Sequence, residues 1–208
     1  MDALHALAAF TLAAALLTIT PGLDTALVLR AAAVDGSRTG MRAALGIALG
    51  CLVWGTVASV GLGALLAASQ AAYAVLRIAG ALYVLWLGTR MLVAALRPGS
   101  ALPDAPAGGS ARSWLLRGFL TNILNPKIGI FYVTFLPLFV PAGVNVTAFC
   151  LLLAVIHILE SFVWFWLLTS LVKPLAAWLR RRSVTRALDG IVGSLLVAFG
   201  VGLFLERR

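Results

Sequence analysis

Charge is what this sequence has least of. Only 11% of its 208 residues are charged while 62% are hydrophobic, and soluble domains carry about a quarter charged residues. So little charge cannot clothe a water-facing surface, and the composition excludes an ordinary soluble domain. Cysteine is nearly absent too: Cys51 and Cys150 each sit alone inside an apolar stretch. Neither Cys-x-x-Cys spacing nor a metal-type cluster occurs, which argues against a quinone-linked disulfide enzyme and leaves both thiols as apolar filler. There is no phosphate-binding loop for ATP-driven work, no His-Glu-x-x-His and no Gly-x-Ser-x-Gly. No cofactor or metal is implied.

What is present is hydrophobic length. A membrane helix needs about 20 apolar residues, and such stretches recur near residues 5 to 29, 43 to 67, 71 to 96, 118 to 140, 147 to 172 and 187 to 205. The sequence therefore predicts an all-α polytopic membrane protein with six transmembrane helices and no room for a soluble domain. The first stretch is expected to be retained: Asp2 precedes it and no Lys or Arg does, so the basic n-region of a signal peptide is missing.

The net charge of +9 follows the loops rather than a nucleic-acid face. Arg30, Arg38 and Arg42 surround the first connection. Arg90, Arg97, Arg112 and Arg117 surround the third, and Lys173, Arg180, Arg181, Arg182 and Arg186 the fifth. The second and fourth connections carry none. The positive-inside rule then puts the odd-numbered loops in the cytoplasm and both termini outside, with Arg207 and Arg208 as exceptions. The run Arg180 to Arg182 reads first as a topology signal and second as a contact for anionic lipid.

Two interruptions organise the chain. Thr20-Pro21-Gly22-Leu23-Asp24 breaks the first span, and the pattern of a capping residue followed by proline predicts a new helical start, with Thr20 as N-cap. Asn125-Pro126-Lys127 repeats that logic in the fourth span, half a chain later. Pro21 lies nine residues before Arg30 and Pro126 nine after Arg117, so at 1.5 Å per residue each break is roughly 13 Å inside a core about 30 Å thick. Repeat one would cover about residues 1–97, a Pro/Gly/Ser-rich linker 98–113, and repeat two about 114–208. Three spans per half force the halves to insert in opposite senses. The expectation is two inverted three-helix repeats with broken helices 1 and 4, within one transporter-like domain.

Polar groups at membrane depth mark the candidate site. New helical starts expose unpaired N–H groups and favour carboxylates. Because Asp24 already places a negative charge at the first start, it suits a substrate ammonium, leaving Asn125 and Lys127 for a carboxylate. The alternative is that Asp24 and Lys127 neutralise one another. His157 and Glu160, three apart on one face of the fifth span, are either a proton-carrying pair or a polar stitch between helices. Gly46 and Gly50 have the small-xxx-small spacing of close helix packing, within one subunit or across a homodimer seam.

With these residues assembled, the chain resembles the LysE/RhtB family of bacterial amino-acid exporters. The resemblance rests on Thr20 to Arg30, on Gly40-Met41-Arg42 through Gly46 and Gly50, and on Asn125-Pro126-Lys127-Ile128-Gly129, and it spans nearly the whole length. It departs at Leu23, where the family usually has a second proline. It implies a protein of the bacterial cytoplasmic (inner) membrane that exports amino acids or close derivatives in exchange for protons. Thr20, Pro21, Gly22, Asp24, Asn125, Pro126 and Lys127 would bind substrate and Glu160 and His157 would couple the proton. A structural membrane protein without transport and an intramembrane enzyme are the competing readings.

Overall fold

The computed structural model describes residues 2–68, 110–171 and 181–205, with isolated positions between 75 and 96. Helices account for the described secondary structure: α1 Ala3–Ile19, α2 Leu23–Asp35, α3 Ser37–Ala68, α4 Ala111–Ile123, α5 Pro126–Ile130, α6 Val146–Ser170 and α7 Arg182–Leu205. Two described segments, Ser37–Ala64 and Val146–Ser170, are each long and apolar enough to cross a membrane. The pairs α1–α2 and α4–α5, bent by 54° and 58°, bring the number to as many as four if each is one broken span. Most of the third predicted span, 71–96, and most of the linker lie outside the described residues.

Both predicted breaks are present, but the first is built differently from its prediction. Thr20 does not cap α2; it closes α1. Its N–H and its hydroxyl both donate to the Leu16 carbonyl, at 3.2 and 2.7 Å. The reason is local: a threonine hydroxyl readily bonds back to the i−4 carbonyl, and Pro21 holds the residue before it extended, as Thr20 is at φ −64°, ψ 117°. The chain then needs Gly22, extended and lacking any side-chain cap, as N-cap of α2. The second break follows its prediction. Asn125 caps α5 by accepting the Lys127 N–H at 3.1 Å, with Pro126 in the first turn.

Beyond α5 the helix continues in unusual windings, a π turn over Phe131–Phe135 and a 3₁₀ turn over Leu136–Phe139. These turns bring Phe131, Phe135 and Phe139 into a buried stack with Phe10 of α1, with ring centroids 4.9 to 5.9 Å apart. At the far end of the broken pairs a polar clasp joins α2 to α4. There the buried Trp114 donates its indole N–H to Asp35 at 2.7 Å, and the Arg117 guanidinium lies over its ring. Between these ends α3 crosses α4 so closely that a Cβ on Gly46 would fall on the Leu115 carbonyl, and one on Gly118 on the Ala43 carbonyl. The Gly46 and Gly50 face is thus taken up inside the subunit.

Candidate functional site

The two breaks meet, and each completes the other. Leaving a helix in an apolar setting strands backbone carbonyls, and at the end of α1 the Lys127 ammonium donates to the Leu17 carbonyl at 3.2 Å. A cation there also suits the negative end of the α1 dipole. Asp24, in the first turn of α2, occupies the complementary position at a helix start. Its carboxylate accepts from the Asn122 amide at 2.9 Å and from the Asn125 amide at 3.5 Å. Among the described residues Asp24 and Lys127 form no ion pair with each other. Each charge is held by neutral groups supplied by the opposite break.

Between them lies a narrow cavity of about 30 Å³, room for a water or two. Thr20, Gly22, Asp24, Asn125, Lys127 and His157 line it. The structure thus brings together six of the nine residues singled out from sequence, and Pro21 shapes its break without lining the space.

His157 and Glu160 part company. His157 is buried against the cavity and its Nδ1 is 3.0 Å from the Tyr132 hydroxyl. Glu160 is half-buried away from the cavity, and neither carboxylate oxygen has a partner among the described residues. One turn on, the Trp164 indole N–H is likewise unpartnered. A spacing of three turns side chains about 60° apart, enough to put one inside and the other outside.

Three contributors escaped the sequence reading. Asn122 is fully buried and spends one N–H on Asp24 and another on the Cys51 sulfur, at 2.9 and 3.4 Å. Cys51, read as filler, is a polar contact as well as a packing one. Tyr132 orients His157. The available signal was Asn122 itself, a second amide one helical turn before Asn125 in an apolar run.

The LysE type translocator profile matches residues 15–207. The threonine efflux protein of Escherichia coli (strain K12) is 31% identical over 191 residues, covering 91% of this chain and 92% of that protein. The uncharacterized membrane protein YrhP of Bacillus subtilis (strain 168) is 30% identical over 205 residues, 95% of this chain and 98% of its own. The leucine efflux protein of Enterobacter sp. (strain 638) is 29% identical over 198 residues, 93% and 92% of the two chains. No solved structure matches. A profile match over nearly the whole length, with relatives that are membrane and efflux proteins, identifies a multi-pass membrane transporter rather than an enzyme: the chain belongs to the LysE type translocator family.

Proposed function

We propose that this protein is a proton-coupled secondary transporter that exports neutral amino acids or close derivatives across the cytoplasmic membrane. One observation carries the reading: Asp24 and Lys127 line a single cavity without pairing. An acid and a base held apart match a zwitterion, whose ammonium Asp24 accepts and whose carboxylate Lys127 and Asn125 receive. Among the residues lining the cavity Asp24 and Lys127 are the one acid and one base, which the two charges of a zwitterion take up, while Asp189 acts on Lys127 from outside that lining. The names of the threonine and leucine efflux relatives agree. A cavity of about 30 Å³ is too small for an amino acid, so loading requires the two half-helix pairs to part, as expected of a closed state between two open ones.

The direct test loads cells with threonine-containing and leucine-containing dipeptides and follows the freed amino acid in the medium. Cells making the protein should accumulate less inside and release more; unchanged release of both would remove the proposal for neutral amino acids. Within the same assay, Glu160→Gln is expected to leave amino-acid binding measurable while abolishing the acceleration by an imposed pH gradient. Its half-buried carboxylate, without a partner among the described residues, suits a proton carrier. Full gradient-driven export by this variant would assign Glu160 to packing.

The full architecture belongs to the same proposal: six spans in two inverted repeats, linker and basic loops inside, termini outside. Both native cysteines are buried, so a cysteine placed in the 98–110 linker gives a clean probe. A membrane-impermeant maleimide added to intact cells should leave it unlabelled, and labelling before lysis would invert the topology.

A further inference from the structure

The Lys127 side chain crosses from the second break to the first. Its ammonium ends 3.2 Å from the Leu17 carbonyl at the close of α1, and a Cβ on Gly22 would stand 3.9 Å from Nζ, so the charge rests against the backbone of the opposite break. Carbonyls freed where a broken helix ends are the groups that hold a coupling sodium ion in other transporters. The surroundings are oxygen-rich as well. Asp24 lines the cavity with a carboxylate, and Thr18, Thr25 and Ser161 bring hydroxyl-bearing side chains from α1, α2 and α6.

Thr18 departs from a habit of this protein. Helical hydroxyls bond back to the carbonyl four residues earlier in Thr20, Thr39, Thr56 and Ser59, the usual local solution. The Thr18 hydroxyl does not; its Oγ1 is buried without a partner. A buried oxygen left unbonded beside a polar cavity calls for a reason, and a cation that accepts oxygen ligands supplies one. We propose that the end of α1, together with Asp24 and the hydroxyls of Thr18, Thr25 and Ser161, is a monovalent-cation site that the Lys127 ammonium fills as a cation tethered to the chain, so that the protein takes up no sodium or potassium ion from solution.

The charge balance fits. One carboxylate in the lining asks for one positive charge, since a buried charge must be paired or bound to a metal ion. Oxygen donors of this kind, carboxylate, carbonyl and hydroxyl, suit hard cations. Asp189 on α7 acts on Lys127 from outside the lining, and His157 faces it from α6. Because the ammonium belongs to α5, it arrives at α1 when the two breaks close and leaves when they part. An ion from solution would have to be captured anew at each closure.

Removing the lysine side chain should convert the site to one for a free ion, because Asp24 is left as an uncompensated buried charge. Lys127→Ala and Lys127→Ser proteins in detergent are compared with the parent in sodium, potassium and N-methyl-D-glucamine chloride at equal ionic strength, without amino acid. Unfolding midpoints are followed together with binding of ²²Na⁺ and of ⁸⁶Rb⁺ as a potassium surrogate. The parent should bind neither ion and unfold at the same midpoint in all three salts. The variants should bind one of the ions saturably, with a midpoint that rises with its concentration by mass action. Adding Thr18→Val, which removes one ligand oxygen at constant shape, should weaken that binding by about tenfold, and adding Asp24→Asn should abolish it. Ion binding by the parent, or two lysine variants that neither ion binds or stabilises, overturns the proposal. No amino acid enters the measurement, so this failure leaves the substrate-site reading standing, and failure of that reading leaves the cation site.

Discussion

Asp24→Asn is expected to lower amino-acid transport about a hundredfold or more without unfolding the protein. The substitution keeps the size of the side chain and removes the charge. Truncating one partner of a buried, hydrogen-bonded charge pair typically costs about 2–5 kcal/mol, which is roughly 30- to 5,000-fold in affinity. The asparagine would also confront the amides of Asn122 and Asn125 with one oxygen where the carboxylate offers two, leaving a buried donor unmet. Lys127→Gln removes the opposite charge, and glutamine can still donate to the Leu17 carbonyl. Competition separates the two ends of the substrate. Export by Asp24→Asn should no longer distinguish an amino acid from its deaminated analogue, and export by Lys127→Gln should no longer distinguish it from the decarboxylated amine. A double variant that exports as well as the parent would make the two charges structural and move the site elsewhere.

The second large effect concerns stability. Gly46→Ala should destabilise the protein by about 3 kcal/mol or more, because the new methyl falls on the Leu115 carbonyl and close to the Phe119 amide nitrogen at 2.8 Å. Overpacking usually costs about 1–3 kcal/mol when side chains can yield; here the obstruction is backbone, which cannot turn aside. Gly61→Ala is the control. Nothing lies within 4 Å of its added carbon, so the intrinsic helix preference should stabilise by about 0.5–1 kcal/mol. Unfolding curves in detergent at matched protein and detergent concentrations measure both. A Gly46→Ala protein as stable as Gly61→Ala would mean that the α3–α4 crossing is looser than described.

Asp24 and Asn125-Pro126-Lys127 were legible because polar groups and helix breakers are conspicuous in an apolar run, and their shared depth from flanking arginines hinted that they meet. Thr20 was misassigned because threonine serves equally as an N-cap and as a back-bonding residue. Only the conformation imposed by Pro21 and Gly22 decides between them. The polar contacts of Asn122 and Cys51 are not legible in sequence, since they arise from α3 and α4 crossing at Gly46 and Gly118, a contact between segments far apart in sequence. The separation of His157 from Glu160 was hidden for a related reason: helical spacing gives relative direction, whereas the cavity edge that divides them is set by α1, α2 and α5.

The π winding at Phe131–Phe135 stores one residue of slack just beyond α5. Were that turn to rewind as α-helix, every side chain beyond it would advance by one step, about 100° of rotation and 1.5 Å of travel. Phe139 would swing off Phe10, and Tyr132, inside the turn, would shift against His157. The buried aromatic stack and the Tyr132–His157 contact are thus tied to a single winding, so that rewinding it would shift both in the same stroke.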